Sequence, residues 1–108
     1  MNDYVLFHHI AYTGSVEDAD IRFFRKPVRL PCLPPLGGTV HVEGFAANHS
    51  YIVDRIEVAD GNFEIRLFTC GESFDDLATC EDGWESLVDI GWTECNSNGE
   101  AIAPESNG

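Results

Sequence analysis

The chain has 108 residues, 44% of them hydrophobic and 23% charged, and a formal net charge of −13. That length bounds it to one domain able to bury a core without staples, and its apolar content excludes intrinsic disorder. A body this acidic repels nucleic acid and anionic membrane surfaces and attracts basic ones.

Residues 4–12 (YVLFHHIAY) are rich in aromatic and β-branched types and predict a strand. Residues 13–15 break it, and residues 15–18 read as a turn or a single helical turn capped by Ser15. Residues 21–30 (IRFFRKPVRL) read as extended, with Pro27 confining them to an edge or bulged strand. Residues 31–38 (PCLPPLGG) hold three prolines and two glycines, cannot sustain a helix, and predict a rigid crossing loop.

Residues 39–45 alternate, with Val40 and Val42 on one side and His41 and Glu43 on the other. Residues 44–49 predict a loop. Residues 50–59 (SYIVDRIEVA) predict a strand whose phase slips between Val53 and Ile56. One extra residue at Asp54 or Arg55, a β-bulge, restores the inward face. Asp60, Gly61 and Asn62 predict a tight hairpin turn. Residues 63–69 return as a strand with Phe63, Ile65 and Leu67 on one face.

Beyond residue 70 the character changes. Ser73 with Asp76 three residues on predicts a helix start. A second start follows at Glu81 and Asp82, with Trp84, Leu87 and Val88 at helical spacing and Gly91 as terminator. Residues 92–95 predict a short last strand. Residues 96–108 predict a flexible acidic tail outside a globular domain of residues 1–95.

The segment 30–40 (LPxLPPxGGxV), followed by a bulged strand and an Asp-Gly hairpin, resembles the small SH3-like barrels of many short bacterial and phage proteins. The resemblance covers residues 28–70. It implies a strongly bent sheet of five or six strands and no particular activity. The expected fold is therefore mostly β, a small bent sheet or barrel with one or two short helices near the C-terminus.

Residue types that could carry chemistry are present without the spacing that chemistry needs. His8, His9, His41, His49 and the four cysteines lack a close ligand pair, so no metal and no cofactor are expected. His8 and His9 face opposite sides of a strand, one packed and one solvated. Cys70, before a helix start, has carboxylate neighbours that raise a thiol pKa, and predicts a buried structural cysteine. Arg22, Arg25, Lys26 and Arg29, interleaved with Phe23 and Phe24, look locally like a nucleic-acid reader. The net charge opposes that, and ion pairing within the fold accounts for them. No basic n-region opens the chain and no run approaches the roughly 18 to 20 apolar residues of a membrane span. Reduced thiols in a cytoplasm are expected.

The charge itself is one-sided. Lysine and arginine end at Arg66, yet ten carboxylates follow. Glu72, Asp75, Asp76, Glu81, Asp82, Glu85 and Asp89 are expected to form a partner-binding face that stands in for phosphates. Trp84 and Trp92 are candidate anchors, although both also suit a core, Trp84 more so. The function expected is a non-enzymatic acidic protein that engages a basic, nucleic-acid-binding partner and touches neither nucleic acid nor membrane directly. In this it resembles the small acidic counter-defence inhibitors of phages. The alternative is a scaffold module that oligomerises through a strand edge, its charge serving only solubility.

Overall fold

The computed structural model describes residues 2–15, 17, 20–44, 47–59, 64–96 and 99–100. It is a mostly β fold with one short helix near the C-terminus. In chain order the elements are β1 (Asn2–Tyr12), β2 (Asp20–Leu30), β3 (Thr39–Gly44), β4 (Ala47–Ala59), β5 (Glu64–Thr69), β6 (Glu72–Phe74), α1 (Leu77–Asp89) and β7 (Thr93–Cys95). The strands form one sheet in the order β3-β4-β5-β1-β2-β7, with β6 also on β1.

β1 is the organising strand. It pairs antiparallel with β2 along its whole length. Its other edge takes β5 in parallel at Val5, Leu6 and Phe7, then β6 in parallel at Ile10, Ala11 and Tyr12. β5 and β6 are thus two stretches of one path along β1, interrupted at Cys70 and Gly71. Gly71 has φ +75°, a conformation glycine adopts without steric penalty. The His9 ring also fills the space that a Cβ at Gly71 would need.

β4 is shared between two partners. Its first half pairs with β3 and its second half with β5. The register shifts between Val53 and Arg55, where the hydrophobic phase slip places it. Before the shift Tyr51 and Val53 are buried; after it Ile56 packs against the core. The 44–49 loop is shorter than expected: Gly44 pairs with Ala47, leaving a two-residue connection. Pro27 is tolerated because β7 bonds only Phe23, Phe24 and Arg25 of β2, so beyond Arg25 that strand is an edge.

The core joins alternate residues of β1 (Tyr4, Leu6, Ile10) to Phe24 and Val28, Val40, Tyr51 and Val53, Leu67, and Cys80, Trp84 and Leu87 of the helix. There is one helix, within the one or two expected, and it spans the second of the two starts read from the sequence. Cys80, Gly83, Trp84 and Leu87 form a continuous buried stripe, so Glu81 and Asp82 lie mid-helix and start nothing. Ser73 belongs to β6, and Asp76 is the N-cap. Its Oδ2 accepts from the Thr79 N–H at 3.0 Å and from the Thr79 hydroxyl at 2.7 Å. At the other end Trp92 N–H donates to Leu87 C=O and Gly91 N–H to Val88 C=O. With φ +101° at Gly91 this is a Schellman termination, as the glycine predicts.

Asn96, Gly99 and Glu100 are hydrogen-bonded. Glu100 N–H donates to Asn96 Oδ1, and Arg25 donates to Gly99 C=O at 2.8 Å. The expected turn at 60–62 with Phe63, part of the 15–18 turn, and the tail at 97–98 and 101–108 lie outside the described residues.

Candidate functional site

The helix divides the acidic residues by physics that is visible locally. With about 100° of rotation per residue, Glu81, Glu85, Asp89 and Asp82 fall within an arc of about 100°, opposite the Cys80–Gly83–Trp84–Leu87 stripe. All four are exposed, as are Asp75 and Asp76 just before the helix. Burial of one stripe against β1 leaves the other facing water. Trp84 pins that orientation, its indole N–H donating to Ile10 C=O at 3.1 Å.

These carboxylates are not neutralised by the chain's own arginines. Arg22 pairs with Asp20, Arg29 with Asp3 and Arg55 with Glu57. Arg25 and Arg66 share Glu64 at 2.8 Å each. These five pairs all lie outside the acidic stretch 72–89. The run 22–29 is thus consumed by ion pairs at Arg22, Arg25 and Arg29, as its bland reading expects. Phe24 enters the core, while Phe23 lies with His9 on the other face of the sheet, ring centroids 5.8 Å apart.

A groove of about 390 Å³ runs beside the helix, lined by Arg22, Trp84, Glu85, Val88, Asp89 and Glu94. Arg22 stacks over the Trp84 ring at 4.2 Å, which leaves Glu85, Asp89 and Glu94 on the groove wall. Three carboxylates on a wall shared with the single resident cation Arg22 can receive a further lysine or arginine side chain. Glu94 is a groove residue that the sequence did not single out, because a three-residue strand carries no facing signal of its own.

Three expected site residues are not on the exposed acidic face. Trp84 and Trp92 are 6% and 2% exposed and belong to the core, so neither can anchor a partner as a protruding side chain. Glu72 turns inward: its Oε2 lies 2.8 Å from His8 Nε2. The other ring nitrogen, Nδ1, lies 2.7 Å from Thr69 Oγ1, and the Gly71 N–H donates to that same hydroxyl. His8 therefore ties together the residues on either side of the Cys70–Gly71 break. It packs edge-on to Tyr51 at 4.6 Å and near Trp92 at 6.1 Å. The signal for this cluster was faint: a histidine in phase with Tyr4, Leu6 and Ile10, on the buried side of a strand.

His9 is half-buried, not solvated as expected, and its pKa is lowered by burial and then by neighbouring His8. No group of three or more His, Cys, Asp or Glu among the described residues could hold a metal ion. No described helix is long and apolar enough to cross a membrane. No family model, no curated protein and no solved structure matches the chain.

All four cysteines are free. Cys70 is exposed, contrary to expectation, because it sits in the break between β5 and β6. Cys32 is also exposed, whereas Cys80 and Cys95 are buried. Burial raises the Cys80 thiol pKa and pushes that of Cys95 up to about 11. Alkylation of the native protein should therefore label Cys32 and Cys70 and spare Cys80 and Cys95 until denaturant is added, read by mass spectrometry. Cys95 also sets an alkaline trend. The unfolded thiol loses its proton near pH 8.5 and the folded one near 11, so its contribution to stability is complete below pH 8.5. That contribution is lost as pH rises toward 11.

Proposed function

We propose that this is a non-enzymatic acidic binding protein whose α1 face engages a basic, nucleic-acid-binding protein in the cytoplasm. Its anionic groups take the place of phosphates. One observation carries the reading: Glu81, Asp82, Glu85 and Asp89 share one exposed helix face, with Asp75 and Asp76 preceding it, and no described arginine pairs with them.

Folding does not favour this arrangement. Glu81–Glu85 and Glu85–Asp89 are like-charged i,i+4 neighbours, each pair costing about 0.2–0.5 kcal/mol. Asp89 faces the negative end of the helix dipole, where a cation would be preferred. Among the described residues no basic side chain occupies the last turn. Charges that oppose helix stability and go unpaired are what a surface shaped for an external cation requires. The small acidic inhibitors with which phages block nucleic-acid-binding machinery are the nearest functional type.

A basic partner captured from lysate at low ionic strength should be released by a competing DNA duplex. Salt of about 1 M, where the Debye length shrinks to about 3 Å, should release it too. Neutralising the face with Glu81→Gln, Asp82→Asn, Glu85→Gln and Asp89→Asn together should weaken binding at least tenfold and leave circular dichroism unchanged. Binding that survives both the substitutions and the salt excludes the charged-face mechanism.

A further inference from the structure

A second surface differs from the first in every respect. Of all the Asp, Glu, Lys and Arg residues, only Glu43 falls within residues 30–53. This segment comprises the proline-rich loop, β3 and the first half of β4. β3 is one end of the sheet, bonded to β4 alone among the described strands. Leu33 and Leu36 are exposed in the loop that leads into it, and Ile52 is exposed opposite Thr39.

The hydrogen-bond phase of that edge is determined. Val53 N–H donates to Gly38 C=O at 2.9 Å. Antiparallel partners alternate between bonded and non-bonded pairs. Val40 and Val42 therefore bond to β4, while Thr39, His41 and Glu43 direct their main-chain N–H and C=O groups away from it. Natural sheets protect such an edge with lysine, proline or a bulge. β3 has none of these. The opposite end of the sheet is protected: β7 is only three residues long, and the edge of β2 beyond it carries Pro27.

We propose that β3 pairs antiparallel with β3 of a second copy of this chain about a two-fold axis at His41. The occupant follows from charge and phase. Two bodies of charge −13 can touch most cheaply where each is almost uncharged, whereas a basic partner is drawn to α1. The outward-bonding positions are self-complementary: Thr39 meets Glu43 of the other copy, His41 meets its own mate, and Glu43 meets Thr39. All three are bonded pairs, giving about six hydrogen bonds. The two sheets become one, and Leu33 and Leu36 flank the seam. On β1's side of each copy, β4 and β5 separate this edge from the strand that carries α1, so both surfaces can be used at once.

Sedimentation velocity on the full chain over a range of concentration and salt tests this. A monomer–dimer equilibrium is expected that strengthens as salt screens the −13 charges, opposite in sign to the salt response of binding through α1. His41→Pro removes an outward N–H without touching the β4 ladder and should weaken the dimer at least tenfold. His41→Lys, which sets two cations face to face, should do the same if the proline variant fails to fold. In a Cys32→Ser, Cys70→Ser background, His41→Cys should form a disulfide-linked dimer on oxidation. The Cα spacing of a bonded pair, about 5.5 Å, lies inside the range a disulfide spans. The α1 neutralisation variant should dimerise at least as well as the parent. A protein that is monomeric at every concentration and salt, or a dimer indifferent to both His41→Pro and His41→Lys, overturns the proposal and leaves the α1 reading untouched.

Discussion

Trp84→Ala is expected to lower the unfolding free energy by about 3–5 kcal/mol, a large part of the roughly 5–15 kcal/mol that holds a domain together. Three losses coincide at this position. The indole fills the space between α1 and β1 and is 6% exposed. Its N–H donates to Ile10 C=O, tying the helix to the sheet. Its ring is the platform under Arg22. Trp84→Phe keeps most of the packing and loses the N–H, so it should cost nearer 1–2 kcal/mol. Denaturant midpoints for the two variants separate filling from hydrogen bonding. A loss below 1 kcal/mol for the alanine variant would mean that α1 is not held to the sheet at this point. The carboxylate face would then have no fixed orientation.

His8→Ala is expected to cost about 2–3 kcal/mol, because it opens a cavity under Tyr51 and removes the bonds to Thr69 and Glu72. Thr69 Oγ1 and Glu72 Oε2 both lose a partner at under 3 Å, although Thr69 keeps the Gly71 N–H and Glu72 is partly exposed, so each loss is a net hydrogen-bond term of about 0.5–1.5 kcal/mol. Two near-isosteres divide the effect. His8→Asn can still reach toward Thr69 from the position of Nδ1, and His8→Gln can still reach Glu72 from the position of Nε2. A double-mutant cycle of His8→Gln with Glu72→Gln isolates the second bond. If Glu72→Gln alone changed stability by only a few tenths of a kcal/mol, the inward turn of Glu72 would be incidental. The tie across the Cys70–Gly71 break would then rest on Thr69.

How far the molecule was legible depended on whether its signals were local. The bulge in β4 could be read because hydrophobic alternation has a period of two and an inserted residue breaks it visibly between Val53 and Ile56. Gly91 could be read because few residues but glycine end a helix in a left-handed conformation. The start of α1 was misread: Ser73 and Asp76 are both good caps, and only pairing of residues 72–74 with β1 removes Ser73 from contention. The second start, at Glu81 and Asp82, was misread for a related reason. Paired acids in the middle of a helix look like a first turn until Cys80, Trp84 and Leu87 are seen to bury together.

The site divided the same way. Glu81, Asp82, Glu85 and Asp89 share a helix face by spacing alone. Glu72 does not join them, because its neighbour His8 lies 64 positions away in the chain. The tryptophans' fate, too, depended on what stands opposite them.

From the amino-acid order alone came the mostly β character, the bulge, the helix terminator and the excess of carboxylates after Arg66, since each follows from composition or from a repeat of two to four residues. Only the tertiary structure decided that β1 would take β5 and β6 along one edge. It also decided that His8 would hold Thr69 and Glu72, that the five arginine ion pairs would lie away from α1, and that β3 would bond to β4 alone among the described strands. Those outcomes are contacts between residues far apart in the chain, and no local periodicity encodes which strand will lie beside which.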